Sequence, residues 1–166
     1  MPPLTDLDHP GVRRVAEALA AAGLPGAHKI RILDADVRTA AQAAEALGIA
    51  VGAIVNSLVF DAEGKPLLAL TSGAHRADMS RLAALAGVHG VRKANPEFVR
   101  AHTGQPIGGV APTGHPGPIR TVVDTALRAH TVVWASAGHP KALFPTTFDE
   151  LLALTGGQAA ELAVQG

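Results

Sequence analysis

Several residue types that build common active sites are missing or scarce in this chain. The 166 residues include no cysteine and no tyrosine, one tryptophan and four phenylalanines. Without cysteine there can be no disulfide, no thiolate nucleophile and no thiolate zinc site, and nothing points to an oxidising compartment. Because aromatic residues are so few, the core must be built mainly from small aliphatic side chains.

Neither sign of charge is in excess, because 14 basic residues balance 14 acidic ones. This balance argues against a protein that coats long nucleic acid through a broad electrostatic footprint. Recognition of a single nucleic-acid end stays open, since a few phosphate contacts need only a local patch. Two local groups of basic residues exist, with ordinary surface charge as the alternative explanation for each: Lys29, Arg31 and Arg38, and Arg92, Lys93 and Arg100.

Long apolar runs are also absent. No stretch of the chain approaches the ~20 apolar residues that span a bilayer. The first residues, "MPPLTDLDHPGVRR", lack a basic start followed by an apolar run. The sequence therefore predicts a cytoplasmic protein that does not contact a membrane.

Standard catalytic motifs are missing too. The chain has no G-x-S-x-G, no H-E-x-x-H and no phosphate loop that ends in Gly-Lys-Ser or Gly-Lys-Thr. Neither a metal ion nor a cofactor is therefore predicted, although a metal site assembled in three dimensions remains an alternative. The histidines are scattered without close ligand spacing, at positions 9, 28, 75, 89, 102, 115, 130 and 139.

Hydrophobic periodicity and capping residues predict alternating helices and strands. Five helices are predicted after the N-caps Asp8, Thr39, Asp78, Asn95 and Thr147, the first of them ending at Gly23. Strands are predicted over residues 28–33, 53–60, 66–72, 121–124 and 131–138, with Gly64 in the turn of a hairpin. Because the order is not a strict βαβ alternation, we expect a mixed α/β fold in one domain, residues 1–166.

Glycine and proline crowd into one loop, "IGGVAPTGHPGPI", residues 107–119. Two adjacent residues without side chains, Gly108 and Gly109, allow a ligand to approach the backbone, where successive N–H groups can hold a carbonyl or an oxyanion. The alternative is a rigid connector between a helix and a strand, because glycine and proline concentrate in loops generally.

Two further positions are candidates for a site. "SAGHPK", residues 136–141, places Gly138 and His139 at the end of a predicted strand, where a histidine can bind substrate or move a proton. The alternative is a surface histidine in a turn. Thr39 stands at the start of a predicted helix, where its hydroxyl most simply caps the helix.

Five segments, taken in order, resemble the YbaK family, the editing domains related to the insertion domain of bacterial prolyl-tRNA synthetase. The resemblance runs from about residue 12 to the C-terminus and is closest to the freestanding synthetase-associated members. Its most specific part is a G-x-x-x-P pattern, Gly108 to Pro112. The segments are "RTAAQAAEALGIAVGAIVNSLVF", "LLALTSGAHRADMSRLAALAG", "ANPEFVRAHTGQPIGGVAPTGHP", "VVDTAL" and "VVWASAGHPKALFPTTFDELLALTGG".

The resemblance implies a fold and a reaction. The fold is a mixed sheet, partly barrel-like, surrounded by helices. The reaction is hydrolysis of a wrongly attached small amino acid, Ala or Cys, from a transfer RNA, typically the proline tRNA. In the family, the G-x-x-x-P backbone cups the aminoacyl ester, and a ribose hydroxyl or a water replaces a protein base. An aminoacyl ester is labile, so positioning and oxyanion stabilisation can supply much of the acceleration.

The resemblance also assigns roles to residues. Family members of known activity usually carry a lysine at the position of Asn56, where it is associated with the terminal adenosine. Asparagine keeps a hydrogen bond but loses the charge, so binding is expected to weaken by about tenfold unless Lys29, Arg31 or Lys141 replaces it. The catalytic positions are Gly108, Gly109 and His139, and the substrate-binding positions are Thr39, Asn56, Ser57, Pro112, Gly138 and Lys141.

The expected partner is the acceptor end of an aminoacyl-tRNA, and a synthetase is a second possible partner. The main alternative is a catalytically weak module of the same fold that binds an aminoacyl group or docks on a synthetase; Asn56 favours this alternative. No DNA is expected, because the chain has neither a basic surplus nor a recognisable helix-turn-helix. The sequence leaves the amino acid, the tRNA and the oligomeric state open.

Overall fold

A computed structural model describes residues 9–33, 37 and 39–164 of the chain. The helices are α1 (Pro10–Ala21), α2 (Ala40–Leu47), α3 (Met79–Ala86), α4 (Pro96–Thr103) and α5 (Phe148–Thr155), and 3₁₀ turns cover Pro25–His28, Val51–Ala53 and Thr125–Ala129. The strands are β1 (Arg31–Ile32), β2 (Ile54–Ala62), β3 (Lys65–Ser72), β4 (Arg92–Lys93), β5 (Arg120–Asp124), β6 (Val133–Ser136), β7 (Ala142–Thr146) and β8 (Gln158–Ala160).

All eight strands join one mixed sheet in the order β1-β7-β6-β2-β3-β5-β8, and β4 pairs with β2 beside this path. Three pairs are parallel (β2 with β6, β3 with β5, β5 with β8), and the other pairs are antiparallel. Helices pack on both faces: on the central strand β3, Leu68 and Leu70 join the core cluster of α1, α4 and α5, while Leu67 and Ala69 join that of α3. The predicted mixed α/β fold is confirmed.

The central hairpin of β2 and β3 turns at Glu63 and Gly64, and both have positive φ, 54° and 92°. Such a two-residue turn suits the right-handed twist of the strands it joins. The Asp61 carboxylate stabilises it by accepting a hydrogen bond from the Gly64 N–H (2.7 Å). The predicted turn is confirmed, and both strands extend slightly nearer to it than predicted.

Four of the five predicted N-caps are present: Thr39, Asp78, Asn95 and Thr147 each accept a backbone N–H from the first turn of their helix. For α1, Asp8 lies outside the described residues, and the capping side chain is His9. The His9 Nδ1 accepts a hydrogen bond from the Gly11 N–H at 3.1 Å. Helix α1 ends at Ala21, and Gly23 follows it with a φ of 73°.

Two predicted strands are shorter in the structure, and three strands were not predicted. The strand predicted over residues 28–33 shrinks to Arg31–Ile32, because a 3₁₀ turn that begins at Pro25 occupies the preceding residues, and the one over 131–138 shrinks to Val133–Ser136. Strands β4, β7 and β8 were not predicted; β7 contains Pro145, which lacks an N–H for a sheet. The proline is tolerated since β1 pairs with β7 only at Ala142 and Leu143, which leaves the edge beside Pro145 without a strand partner.

Among residues 9–33, 37 and 39–164, no helix has the length and apolar character needed to cross a membrane.

Candidate active site

A cleft of about 790 Å³ lies where the sheet is interrupted along one edge of β2. Strand β6 pairs with this edge at Ile54 and Val55, and strand β4 pairs with it at Phe60 and Asp61. Between them, residues 56–58 have no strand partner on that side, while the Val59 carbonyl accepts a hydrogen bond from the Ala94 N–H, next to β4, at 3.2 Å. The cleft is therefore a gap in the sheet, with the edge of β2 as its floor.

The pairing with β3 determines which peptide groups of β2 face this gap. The Gly73 N–H donates to the Ile54 carbonyl at 2.7 Å, which continues the ladder whose register pairs Asn56 with Thr71. Peptide groups alternate in direction along an antiparallel strand. Those of Ser57 therefore point toward the open edge, where they can meet a ligand.

The hydroxyl of Ser57 is also unusual. Its Oγ is buried, and no described residue hydrogen-bonds to it. Buried polar groups nearly always have a partner, and an unsatisfied one costs about 1–3 kcal/mol. A ligand in the cleft would be a natural partner for this hydroxyl.

Two further segments line the cleft, a loop at Gly108 and a turn at His139. Gly108 has a φ of 88°, in the region that favours glycine. A Cβ on Gly109 would lie 2.9 Å from both Cα and the carbonyl carbon of His139, so the two backbones touch. Glycine at position 109 is thus required by a close approach of two backbones.

His139 lines the cleft in a defined tautomer. Its Nδ1 accepts a hydrogen bond from the Lys141 N–H at 3.1 Å. A neutral imidazole has one donor and one acceptor nitrogen, so the proton is on Nε2. The neutral ring can therefore donate a hydrogen bond to a substrate oxygen from Nε2.

The charge of the lining has one sign among the described residues. Lys93, from β4, and Lys141 line the cleft, and no described carboxylate does. The two lysines among the described lining residues suit an anionic ligand such as a nucleotide phosphate. Within the same part of the chain, no three His, Asp or Glu side chains form a group that would bind a metal ion.

Six of the nine predicted site residues come together in this cleft: Thr39, Asn56, Ser57, Gly108, His139 and Lys141. Thr39 also caps α2, since its Oγ1 accepts from the Gln42 N–H at 3.1 Å. Gly109 and Gly138 are not among the lining residues, but Gly109 contacts the backbone of His139 and Gly138 contacts that of Gly11. Lys29 and Arg31, considered as replacements for the missing charge, are not among the lining residues.

Pro112 lies elsewhere. It borders a second, more open depression of about 660 Å³ together with Arg14, Glu17 and His115. Burial lowers the pKa of His115, opposed by the hydrogen bond between its Nε2 and the Ala111 carbonyl (2.8 Å). The neutral form of this histidine is thereby favoured in the folded protein.

The cleft residues that were not predicted from the sequence include Lys93, Ile107 and Ser136. Lys93 belongs to a basic group visible in the sequence, but nothing there connects β4 with the edge of β2. Ile107 is 52% exposed beside Gly108, which is unusual for a large apolar side chain. An exposed apolar group at a cleft rim is well placed to contact the face of a base or sugar.

Outside the cleft, Asp124 forms a separate buried polar cluster. Its carboxylate is fully buried and accepts hydrogen bonds from the backbone N–H groups of Ser72 and Ala126, both at 3.0 Å. The His75 Nε2 lies 2.5 Å from the same carboxylate. This cluster joins the ends of β3 and β5, so its role is structural.

The chain matches a known protein family. Residues 34–154, which include the whole lining of the cleft, match the aminoacyl-tRNA editing domain. The chain belongs to this family. The editing domains of the family act on aminoacyl-tRNA and are related to domains of prolyl-tRNA synthetase, as the YbaK resemblance predicted.

Individual relatives of this editing domain differ in length. The proline–tRNA ligase of Nitratidesulfovibrio vulgaris (strain DP4) is 36% identical over 118 residues, which is 71% of this chain but 19% of the ligase. The chain thus spans about a fifth of the ligase. The candidate Cys-tRNA(Pro)/Cys-tRNA(Cys) deacylase EbsC of Enterococcus faecalis is 28% identical over 131 residues, 78% of this chain and 80% of EbsC.

A solved structure has the same fold. It is a candidate trans-editing enzyme for prolyl-tRNA synthetase, 45% identical, with a TM-score of 0.87 over 94% of this chain and 98% of that one. This agreement confirms the predicted YbaK-like arrangement of sheet and helices for this editing domain.

Proposed function

We propose that residues 1–166 act as one trans-editing domain, a deacylase that removes a mischarged small amino acid of the Ala or Cys class from tRNA, most simply the proline tRNA. The observation that carries the proposal is the gap in the sheet, where Ser57 and the loop at Gly108 line one cleft together with Lys93 and Lys141. The coverage of whole relatives, 98% of the solved trans-editing chain and 80% of EbsC, supports it.

The reaction in this cleft is the hydrolysis of an ester. A water oxygen bonds to the ester carbonyl carbon, the bond from that carbon to the ribose oxygen breaks, and the proton lost by the water ends on the ribose oxygen. Backbone N–H groups beside the loop stabilise the oxyanion, and the His139 Nε2–H donates to the carbonyl or ribose oxygen. Positioning replaces a protein nucleophile.

Release of amino acid from Ala-, Cys-, Ser- and Pro-charged proline tRNA tests this function directly. We expect hydrolysis of one small amino acid and little of Pro. Gly108→Ala is the matched loop variant, because its methyl group would meet only Cγ of Pro140, at an ordinary contact distance of 4.0 Å, but its backbone is strained at a φ of 88°. Activity that is identical in Gly108→Ala would place the chemistry away from this loop.

A second candidate function rests on Asn56, which stands where active family members usually carry lysine. Without the positive charge of that lysine, the domain could bind aminoacyl-tRNA without hydrolysing it efficiently. Binding of charged tRNA without release of any of the four amino acids would favour this capture module over the deacylase.

Asn56→Lys is expected to lower the KM for charged tRNA about tenfold, because a charge-assisted hydrogen bond to phosphate is stronger than a neutral one. The slope of log KM against the logarithm of the salt concentration should become steeper by roughly one, the change expected for one additional phosphate contact. Steady-state kinetics at several salt concentrations measure both effects.

The control is Gln158→Lys, which adds the same charge at an exposed site on β8. Equal effects of the two variants would indicate only a nonspecific attraction. No gain from Asn56→Lys would mean that Lys93 or Lys141 already fills the role.

A further inference from the structure

The first turn of α1 packs directly on the turn that carries His139. A Cβ on Gly11 would lie 2.8 Å from the Gly138 carbonyl oxygen, and a Cβ on Gly138 would lie 2.5 Å from the Gly11 carbonyl oxygen. No side chain fits at either position. Gly109 also touches the backbone of His139, so three backbone segments are in contact, and glycine lies at each contact.

His9 contributes a ring to this stack. The His9 and His139 rings meet edge to face, with centroids 4.9 Å apart and an interplanar angle of 72°. The His9 ring is itself held in place, because its Nδ1 accepts the Gly11 N–H (3.1 Å) as the N-cap of α1. A fixed ring therefore lies against the ring that lines the cleft.

Two contacts constrain the orientation of the His139 ring. One is the hydrogen bond from the Lys141 N–H to its Nδ1. The other is the edge-to-face contact with His9, which limits rotation of the ring about that hydrogen bond. Together they set the direction in which the Nε2–H points.

Capping alone does not explain a histidine at position 9. Asn, Asp, Ser and Thr are the favoured N-caps, and histidine is not one of them. Any of the four would accept the Gly11 N–H, but none would place a ring against His139. Histidine does both.

We propose that His9 is a positioning residue of the deacylation site: its ring orients the His139 imidazole, and the first turn of α1 thereby belongs to the catalytic framework. The inference rests on the proposed deacylase function. His9 does not line the cleft, so it acts through His139 and not on the substrate.

Two substitutions separate the ring from the cap. His9→Asn keeps a capping side chain and removes the ring, and we expect kcat to fall about tenfold with KM and the melting temperature nearly unchanged. His9→Phe keeps a ring and removes the cap, and we expect it to recover most of kcat while lowering the melting temperature.

A third variant controls for stability alone. Thr147→Ala removes the N-cap of α5, whose Oγ1 accepts from the Glu150 N–H at 3.0 Å, away from the cleft. It should lower the melting temperature about as much as His9→Phe while leaving kcat unchanged.

NMR spectroscopy of the protein without tRNA tests the contact between the two histidine rings directly. The Cε1–H NMR resonance of His139, assigned by its loss in His139→Asn, should shift in His9→Asn and move back toward the wild-type position in His9→Phe. Wild-type kcat in His9→Asn, or an unshifted His139 resonance, would overturn the positioning role. Absence of hydrolysis by the wild-type protein with every charged tRNA would instead overturn the proposed function, and with it this role.

Discussion

Gly109→Ala should lower the rate of aminoacyl-tRNA hydrolysis about 100-fold. The new methyl would lie 2.9 Å from two backbone atoms of His139 and 3.0 Å from Cδ of Pro140. Backbone atoms cannot rotate away as the end of a flexible side chain can, so the loop or the turn must move. A displacement of catalytic groups by about 1 Å lowers the reaction rate on the order of 100-fold.

The measurement is single-turnover hydrolysis of charged proline tRNA, with circular dichroism to verify the fold. Gly117→Ala is the matched control from the same loop, because nothing lies within 4 Å of its methyl position. It should hydrolyse at the wild-type rate. A rate for Gly109→Ala within threefold of wild type would show that the contact between loop and turn is unimportant for the reaction.

Asp124→Ala is expected to destabilise the protein by about 3–4 kcal/mol. The substitution leaves two buried N–H groups, of Ser72 and Ala126, without their acceptor, and each costs about 1–3 kcal/mol. It also removes the partner of His75. For a chain of this size the melting temperature should fall by roughly 10 °C.

Thermal and urea unfolding measure this loss. Asp149→Ala removes an exposed carboxylate from the first turn of α5 and should cost no more than about 1 kcal/mol. Similar losses in the two variants would mean that the buried cluster contributes no more than a surface charge does.

Features that depend on a few neighbouring residues were predictable from the sequence. Thr39, Asn95 and Thr147 cap their helices by bonding to an N–H three residues later, an interaction contained within one turn. The hairpin turn is likewise determined by its own residues. Such contacts form wherever the local chain has the right side chains, whatever the rest of the protein does.

Features that depend on distant pairing were not predictable. Strand β7 is compatible with Pro145 only because β1 is too short to reach it, which no local pattern shows. The role of Lys93 follows from where β4 joins β2. The position of Pro112 beside the second depression depends on how the loop folds back toward α1.

The candidate site itself was predicted largely through the family resemblance. Composition and spacing identified the loop at Gly108 and the turn at His139 as candidates but left a rigid connector and a surface turn as alternatives. The contribution of His9 needed the structure, because it lies 130 positions from His139 in the chain and acts through a contact between two rings.

The open edge of β2 also bears on self-association. Exposed strand edges invite pairing with other chains and can seed aggregation. Here the unpaired stretch covers only residues 56–58, about 10 Å at the usual rise per residue, and β6 and β4 bound it at either end. An incoming strand would collide with both neighbours, whereas a small ligand would not, so this edge of β2 can keep main-chain hydrogen-bonding groups available for recognition without offering a template for strand addition.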